Sequence, residues 1–150
     1  MGQEPTKVYD LRSVTCNLGG IPLDEMGGWG EGESAIKIEK EGQSFITKKG
    51  ADGSVVRSKT YDRVYKVTLI LLQTAAANGV LSGLLALDET ADNGAGIVPI
   101  LIRDRQGLNV FGGSEAWIMG HPKTVEFGST VKNLEWEIQV GDGDLFLGEN

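Results

Sequence analysis

Two residues of this 150-residue chain carry the side chains of a nucleophile and a general base: Cys16 and His121, each the only one of its kind. A thiol beside an imidazole is the minimum for covalent catalysis. However, Cys16 lies in an alternating apolar run, and His121 precedes Pro122 in the turn-like stretch Gly120-His121-Pro122-Lys123. We read Cys16 as a small buried hydrophobe and His121 as a solvated loop residue, and rank an enzyme built on the two last among the functions considered. One cysteine and one histidine also exclude an intramolecular disulfide framework, a Cys/His zinc cage and a multi-histidine metal centre. Glu135 and Glu137 are about 7 Å apart along one strand face, a spacing that a pair of glycosidase carboxylates would tolerate. With only 3 tryptophans, 3 tyrosines and 4 phenylalanines, the chain has few aromatics to line a sugar cleft, so these glutamates read as the wet face of an amphipathic strand. Two acidic groups, Asp142, Asp144 and Glu149, and Asp88, Glu89, Asp92 and Asn93, lack the D-x-[DN]-x-[DN]-G spacing of a calcium loop and read as solvated turns. Gly27-Gly28-Trp29-Gly30-Glu31-Gly32 has the glycines of a phosphate cradle, but no Gly-Lys-Ser/Thr follows and its glutamates repel phosphate. It reads as a mobile loop carrying one exposed aromatic, with Trp29 available as a partner anchor. No catalytic residue, cofactor or metal is expected.

The elements that must position these groups follow a period of two. Leu134, Trp136, Ile138 and Val140 alternate with Glu135, Glu137 and Gln139, which is a strand with one packed and one wet face. Ile36 and Ile38 alternate with Lys37 and Glu39, and Val14, Cys16 and Leu18 with Ser13, Thr15 and Asn17. A longer strand over Tyr61 to Gln73 places Tyr65, Val67, Leu69 and Leu71 on one face and Lys66, Thr68, Ile70 and Leu72 on the other. Ile97 to Ile102 is apolar on both faces yet contains Pro99, which cannot donate to a ladder and so predicts an edge strand. An edge strand covered on both faces implies a neighbouring chain. Asp52-Gly53, the stretch from Asp104 to Gly107, Gly112-Gly113 and Asp142-Gly143 predict turns. One helix is predicted from about Ala75 to Leu87, too apolar all round to stand alone, and two long loops run from Asp24 to Ser34 and from Asp88 to Gly96. With no internal repeat and no second boundary, residues 1–150 read as a single, mainly β domain.

Composition narrows the functions further. The chain has 22 glycines, about twice average usage, and a net charge of −7, which disfavours non-specific attraction to a nucleic-acid backbone. The uncharged stretch from Val67 to Leu87 is long enough to cross a bilayer, but Gln73, Thr74, Asn78, Gly79, Ser82 and Gly83 would face hydrocarbon. A buried strand followed by a short buried helix is the better reading, and no membrane partner is expected. No secretory signal precedes Asp10, and the loose myristoylation match at Met1-Gly2 with Thr6 is not specific. The basic residues concentrate at Lys48, Lys49, Arg57, Lys59, Arg63 and Lys66, around the Asp52-Gly53 turn, where they can meet an acidic patch on a second copy.

Taken in order, several short segments resemble the tail tube proteins of contractile-tailed bacteriophages. They are Tyr9-Asp10, Val14 and Gly19-Gly20-Ile21-Pro22-Leu23; Gly50-Ala51-Asp52-Gly53 with Arg57, Ser58 and Asp62-Arg63; and Val67-Thr68-Leu69, Leu72-Gln73-Thr74, Asn78 and Leu81-Ser82. The order continues with Pro99 to Asp104, Ala116-Trp117-Ile118, Pro122, Phe127-Gly128, Glu135-Trp136 and Gly141 to Asn150. The likeness spans nearly the whole chain, and the Gly27 to Gly32 loop fits it least. The resemblance implies an antiparallel β-sandwich or barrel with one flanking helix and long loops. It also implies a non-enzymatic virion tail protein, assembled in the host cytoplasm into hexameric rings that stack as a hollow tube inside a contractile sheath. Related tubes serve type VI secretion systems and contractile bacteriocins. The implied partners are further copies of the chain, the sheath protein, and baseplate and tail terminator proteins, with DNA passing through the lumen without specific binding. Within that frame Glu135, Glu137 and Gln139 are candidates for the lumen wall. Trp29, Lys48, Lys49, Arg57, Lys59, Arg63 and Pro99 are candidates for contacts between subunits. The alternative from the binding class is a soluble β-sandwich module that holds carbohydrate or a protein partner with the Trp29 loop.

Overall fold

A computed structural model of the chain describes residues 10–30, 35–105 and 109–148. The myristoylation match, Tyr9, Glu31, Gly32, Gly107 and Glu149 lie outside these residues. Ten strands and one α-helix follow in chain order: β1 Val14–Leu18, β2 Ile21–Pro22, β3 Ile36–Lys40, β4 Phe45–Lys49, β5 Val55–Lys59, β6 Tyr65–Leu72, α1 Ala77–Thr90, β7 Val98–Asp104, β8 Val110–Ile118, β9 Asn133–Val140 and β10 Asp144–Phe146. Eight strands form one antiparallel sheet in the order β2, β1, β7, β8, β9, β6, β3, with β10 also on β8. Strands β4 and β5 pair only with each other. The inner face of the large sheet folds over α1, and the two share one core. To that core β9 gives Trp136, Ile138 and Val140, β6 gives Val67, Leu69 and Leu71, β8 gives Phe111 and Ala116, and α1 gives Ala77, Leu81 and Leu85. The mainly β architecture with one helix is as expected, realised among the described residues as one large antiparallel sheet and the small β4–β5 sheet.

The alternation of β9 holds residue for residue, with Leu134, Trp136, Ile138 and Val140 buried. The predicted Tyr61 to Gln73 strand is shorter than expected. Tyr61 adopts φ 59, a left-handed conformation costly for a bulky residue, and regular pairing begins at Tyr65. The helix begins at Ala77 and runs on through Thr90, so Asp88 and Glu89 form its last turn and not the start of a loop. Ala76 at its N-terminus makes no side-chain cap. Asn78 instead donates through Nδ2 to the carbonyls of Leu72 and Gln73 at 2.9 and 3.2 Å, and its Oδ1 accepts the Trp136 indole N–H at 3.0 Å. One asparagine therefore ties the strand-to-helix turn to the largest core side chain.

Two strand expectations are corrected. Strand β7 is not at an edge: it pairs with β1 on one side and β8 on the other. Pro99 is tolerated because the β7–β8 register shifts between Val98 and Ile100, where the missing N–H leaves no ladder bond to lose, while its carbonyl accepts the Gly19 N–H at 2.8 Å. Gly112-Gly113 is not a turn but lies inside β8, where that strand changes partner from β10 to β9. A Cβ on Gly113 would come within 2.5 Å of Val140 Cγ1, so glycine is needed there for close approach. The Asp52-Gly53 and Asp142-Gly143 turns are as expected, and β7 and β8 are joined across the Asp104 turn, where the Asp104 N–H donates to the Asn109 carbonyl at 2.9 Å.

Candidate assembly surfaces

The isolated chemical groups are occupied structurally. Cys16 is fully buried in the core on β1, and burial, then the nearby Asp24 charge, push its thiol up to about 12. His121 is exposed on the connection after β8, its ring 6.1 Å from that of Trp136. A buried thiol that stays protonated is no nucleophile. Cys16 should therefore resist a thiol-reactive dye at pH 8 in the folded protein and react once it is unfolded, as read by mass spectrometry. Rapid labelling of the native protein would contradict this placement. Asp142 accepts the Ser114 and Glu115 amide N–H groups at 3.0 Å each, as well as the Ser114 hydroxyl. These bonds hold its carboxyl below the usual range, the hydroxyl contributing most. It ties down the corner at which β8 changes partner. Among the described residues no group of three or more His, Cys, Asp or Glu side chains is arranged to hold a metal.

Trp29 is not the exposed aromatic expected on a free loop. It pairs with Leu71 as an isolated bridge, the Leu72 N–H donates to the Gly28 carbonyl at 2.7 Å, and the indole packs half-buried against the core. The glycines permit this approach, since a Cβ on Gly30 would meet Ile70 Cγ2 at 2.7 Å.

On the outer face of the large sheet, Glu135, Glu137 and Gln139 stand opposite Ile70, Thr68 and Lys66 of β6. Lys66 Nζ and Lys123 Nζ reach Glu137 at 4.0 and 3.8 Å, whereas Glu135 is exposed. One hollow on this face, about 350 Å³, is lined by Lys123, Thr124, Glu126, Lys132, Asn133, Glu135 and Glu137. It has no aromatic wall on which a sugar would stack. Lys66, read from sequence with the basic group near the turn, thus belongs to this face.

The rest of that basic group projects from the molecule. Strands β4 and β5 extend the β3–β6 ribbon beyond a break at Glu41 to Ser44 and Thr60 to Val64, bridged by the Glu41 N–H to the Val64 carbonyl and the Thr60 N–H to the Ser44 carbonyl, both at 3.0 Å. Every residue of both strands is exposed. Lys48, Lys49, Arg57 and Lys59 share this hairpin with Phe45, Ile46, Val55 and Val56, whose exposures run from 42 to 62%. Arg57 lies 4.3 Å from the Phe45 ring centroid, and Arg63 sits exposed on the connection to β6. A bare two-stranded hairpin is marginal in water, and one with apolar side chains on both faces calls for a partner. Charge pointed to this surface from the sequence, and the adjacent pairs Phe45-Ile46 and Val55-Val56, which load both faces of a strand, were the further signal for its apolar part.

Residues 8–148 match the family model described as the bacteriophage PhiTE tail tube protein. The chain belongs to this tail tube family. Its members are structural proteins of phage tails rather than enzymes, and the chain is read as such. A curated relative, "Structural protein ORF10" of Pseudomonas phage KPP10, is 27% identical over 118 residues, covering 79% of this chain and 68% of that protein. Among solved structures, the tube terminating cap of the anti-feeding prophage superposes with a TM-score of 0.61 at 10% identity, over 99% of this chain and 97% of the other. A chain of the sheath-tube complex of an extracellular contractile injection system in its extended state gives 0.58 at 9% identity, over 94% and 93%. These likenesses establish that the chain shares the fold of these contractile-system proteins.

Proposed function

We propose that the chain assembles with copies of itself into rings, six to a ring as in the tubes it resembles, and that the rings stack into the hollow inner tube of a contractile tail. Genome passes through this conduit on ejection. The observation that carries the reading is the β4–β5 hairpin: four cations and four exposed apolar side chains on a ribbon that its own core does not cover, in a protein of net charge −7. Such a surface is stabilised by a second, complementary copy. Chains of a sheath-tube complex and of a sheath/tube terminator share this fold, which supports sheath and terminator proteins as further partners, while the family match and the phage relative support the virion tail as the location. Baseplate proteins as partners and assembly in the host cytoplasm complete the proposal. Lys48, Lys49, Arg57, Lys59 and Arg63 are proposed contact residues, as are, elsewhere on the subunit, Pro99 and the exposed part of Trp29. Negative-stain microscopy of the purified protein tests the reading: rings or tubes with a central channel are expected, and a monomer at all concentrations overturns it.

The lumen wall is assigned to the outer face carrying Glu135, Glu137 and Gln139. Two lysines already balance much of the Glu137 charge, so Glu135 supplies most of the repulsion that keeps DNA from adhering. Glu135→Lys with Glu137→Lys should give particles that assemble normally but eject DNA at least about tenfold less efficiently. Glu135→Lys alone should account for most of that loss. Unchanged ejection by the double variant would remove this face from the wall.

A further inference from the structure

The hairpin's complement lies on the same chain. Between Lys66 and Arg103 the sequence contains no basic residue, while Asp88, Glu89 and Asp92 fall within five positions. Asp88 and Glu89 occupy the last turn of α1, a turn with no basic residue, where the helix dipole disfavours negative charge. Among the described residues, no ion pair engages any of the three. The turn packs directly on the start of β7: a Cβ on Gly96 would come within 2.2 Å of Asp88 Cβ. Around this acidic corner Leu87 and Ile97 are 47% and 46% exposed, and Pro99 and Leu101 continue an exposed apolar line down the outer face of β7. The corner therefore repeats the composition of the hairpin with the charge reversed, apolar side chains set among charges of one sign.

The two patches do not meet within one molecule. One register row, Tyr65, Val140, Ala116, Val98, crosses the sheet from the root of the hairpin to the start of β7. That row spans three strand spacings, about 14 Å at the usual interstrand distance. Two complementary surfaces at separate places on one chain are the requirement for a heterologous, head-to-tail contact, the kind that closes rings or propagates stacks.

We propose that the β4–β5 hairpin of one copy docks on the acidic corner of the next through the face that carries Lys49, Arg57 and Lys59, which meet Asp88, Glu89 and Asp92. Phe45 and Val55, on the same face, then cover Leu87, Ile97 and Pro99. This rests on the self-assembly reading above and names the surface that receives the hairpin. Carboxylates held against the helix dipole without a cation become favourable once the neighbour supplies one.

Charge swaps at exposed positions test the pairing. Lys49→Glu with Arg57→Glu, and separately Glu89→Lys with Asp92→Lys, should each raise the protein concentration needed for assembly about tenfold or more, as measured by sedimentation velocity and negative-stain microscopy. The combined fourfold variant should recover to within about threefold of the unmodified protein. Thermal unfolding serves as the folding control, and the Glu89→Lys, Asp92→Lys variant should unfold no earlier than the parent because lysine suits a helix C-terminus. Failure of the hairpin variant alone, with the corner variant assembling normally, would place the hairpin on another surface and overturn this pairing while leaving self-assembly standing. Loss of assembly in both without recovery in the fourfold variant would also overturn the pairing. An unmodified protein that never assembles would remove the reading on which it rests.

Discussion

Replacing residues 44–60 with an Asn-Gly turn should leave the main fold intact and abolish assembly. Strands β4 and β5 pair only with each other, none of their residues is buried, and none belongs to the core. Their removal costs the core no packed side chain. The ribbon beneath is already closed by the Lys40 to Tyr65 pair and the Glu41 N–H to Val64 carbonyl bond, and Asn-Gly supplies the left-handed conformations that a tight hairpin turn requires. The melting temperature is expected within about 4 °C of the parent, a shift corresponding to less than about 1 kcal/mol in a domain of this size. Microscopy and sedimentation should then show monomer where the parent forms rings. Assembly of the shortened protein at the parent's concentrations would show that the contacts lie elsewhere, and an early, broad melt would show that the hairpin belongs to the core after all.

The second large effect lies in the core. Trp136→Ala should destabilise the chain by about 3–5 kcal/mol, the range for emptying a packed aromatic site. Trp136 is 2% exposed, at the centre of the packed face of β9, and its N–H is bonded to Asn78 Oδ1 at 3.0 Å. The same asparagine holds the Leu72 and Gln73 carbonyls at the entry to α1, so the loss should extend beyond the cavity. Trp136→Phe separates the two contributions, because it retains most of the volume but leaves Asn78 Oδ1 without its donor, at about 1–3 kcal/mol. Denaturant titration followed by circular dichroism measures both. Equal stability of the two variants would show that the lost volume adds little and the hydrogen bond dominates, whereas a phenylalanine variant as stable as the parent would show that volume dominates. A cost below about 1 kcal/mol for alanine would mean that the site collapses around the gap.

These two results divide the molecule into a part that holds itself together and a part that holds its neighbours. The division matches the distribution of apolar side chains. On β9 and β6 they face inward under α1. On β4, β5 and the outer side of β7 they face out, at Val55, Val56, Pro99 and Leu101. The proposed ring needs both, since it has no stability beyond what its subunits leave uncovered for one another.

The local features were determined by the sequence alone. Strict alternation fixed which face of β9 would be packed, because side chains along a strand point to opposite faces whatever lies beside it. Asp52-Gly53 fixed one turn, since the left-handed φ of 89 at Gly53 needs glycine wherever the chain goes, and Asp142-Gly143 marked a second, although its glycine serves the close approach of Tyr65. The order of short segments along the chain was enough to point to tail tube proteins. The tertiary structure decided everything that depends on which strand lies next to which. Pro99 indicated an edge strand, but a register shift lets β7 sit in the interior. Gly112-Gly113 has the composition of a turn, and only the approach of Val140 shows that the glycines serve contact within a strand. Trp29 seemed free in its glycine-rich loop until Leu71 was placed beside it. The six basic residues formed one group along the chain and two in space, four on the hairpin with Arg63 at its root, and Lys66 paired with Glu137 on the outer face. The physical reason is common to all of these: backbone periodicity and turn chemistry act over a few residues, whereas strand neighbours, ion pairs and close approaches join residues that the sequence keeps far apart.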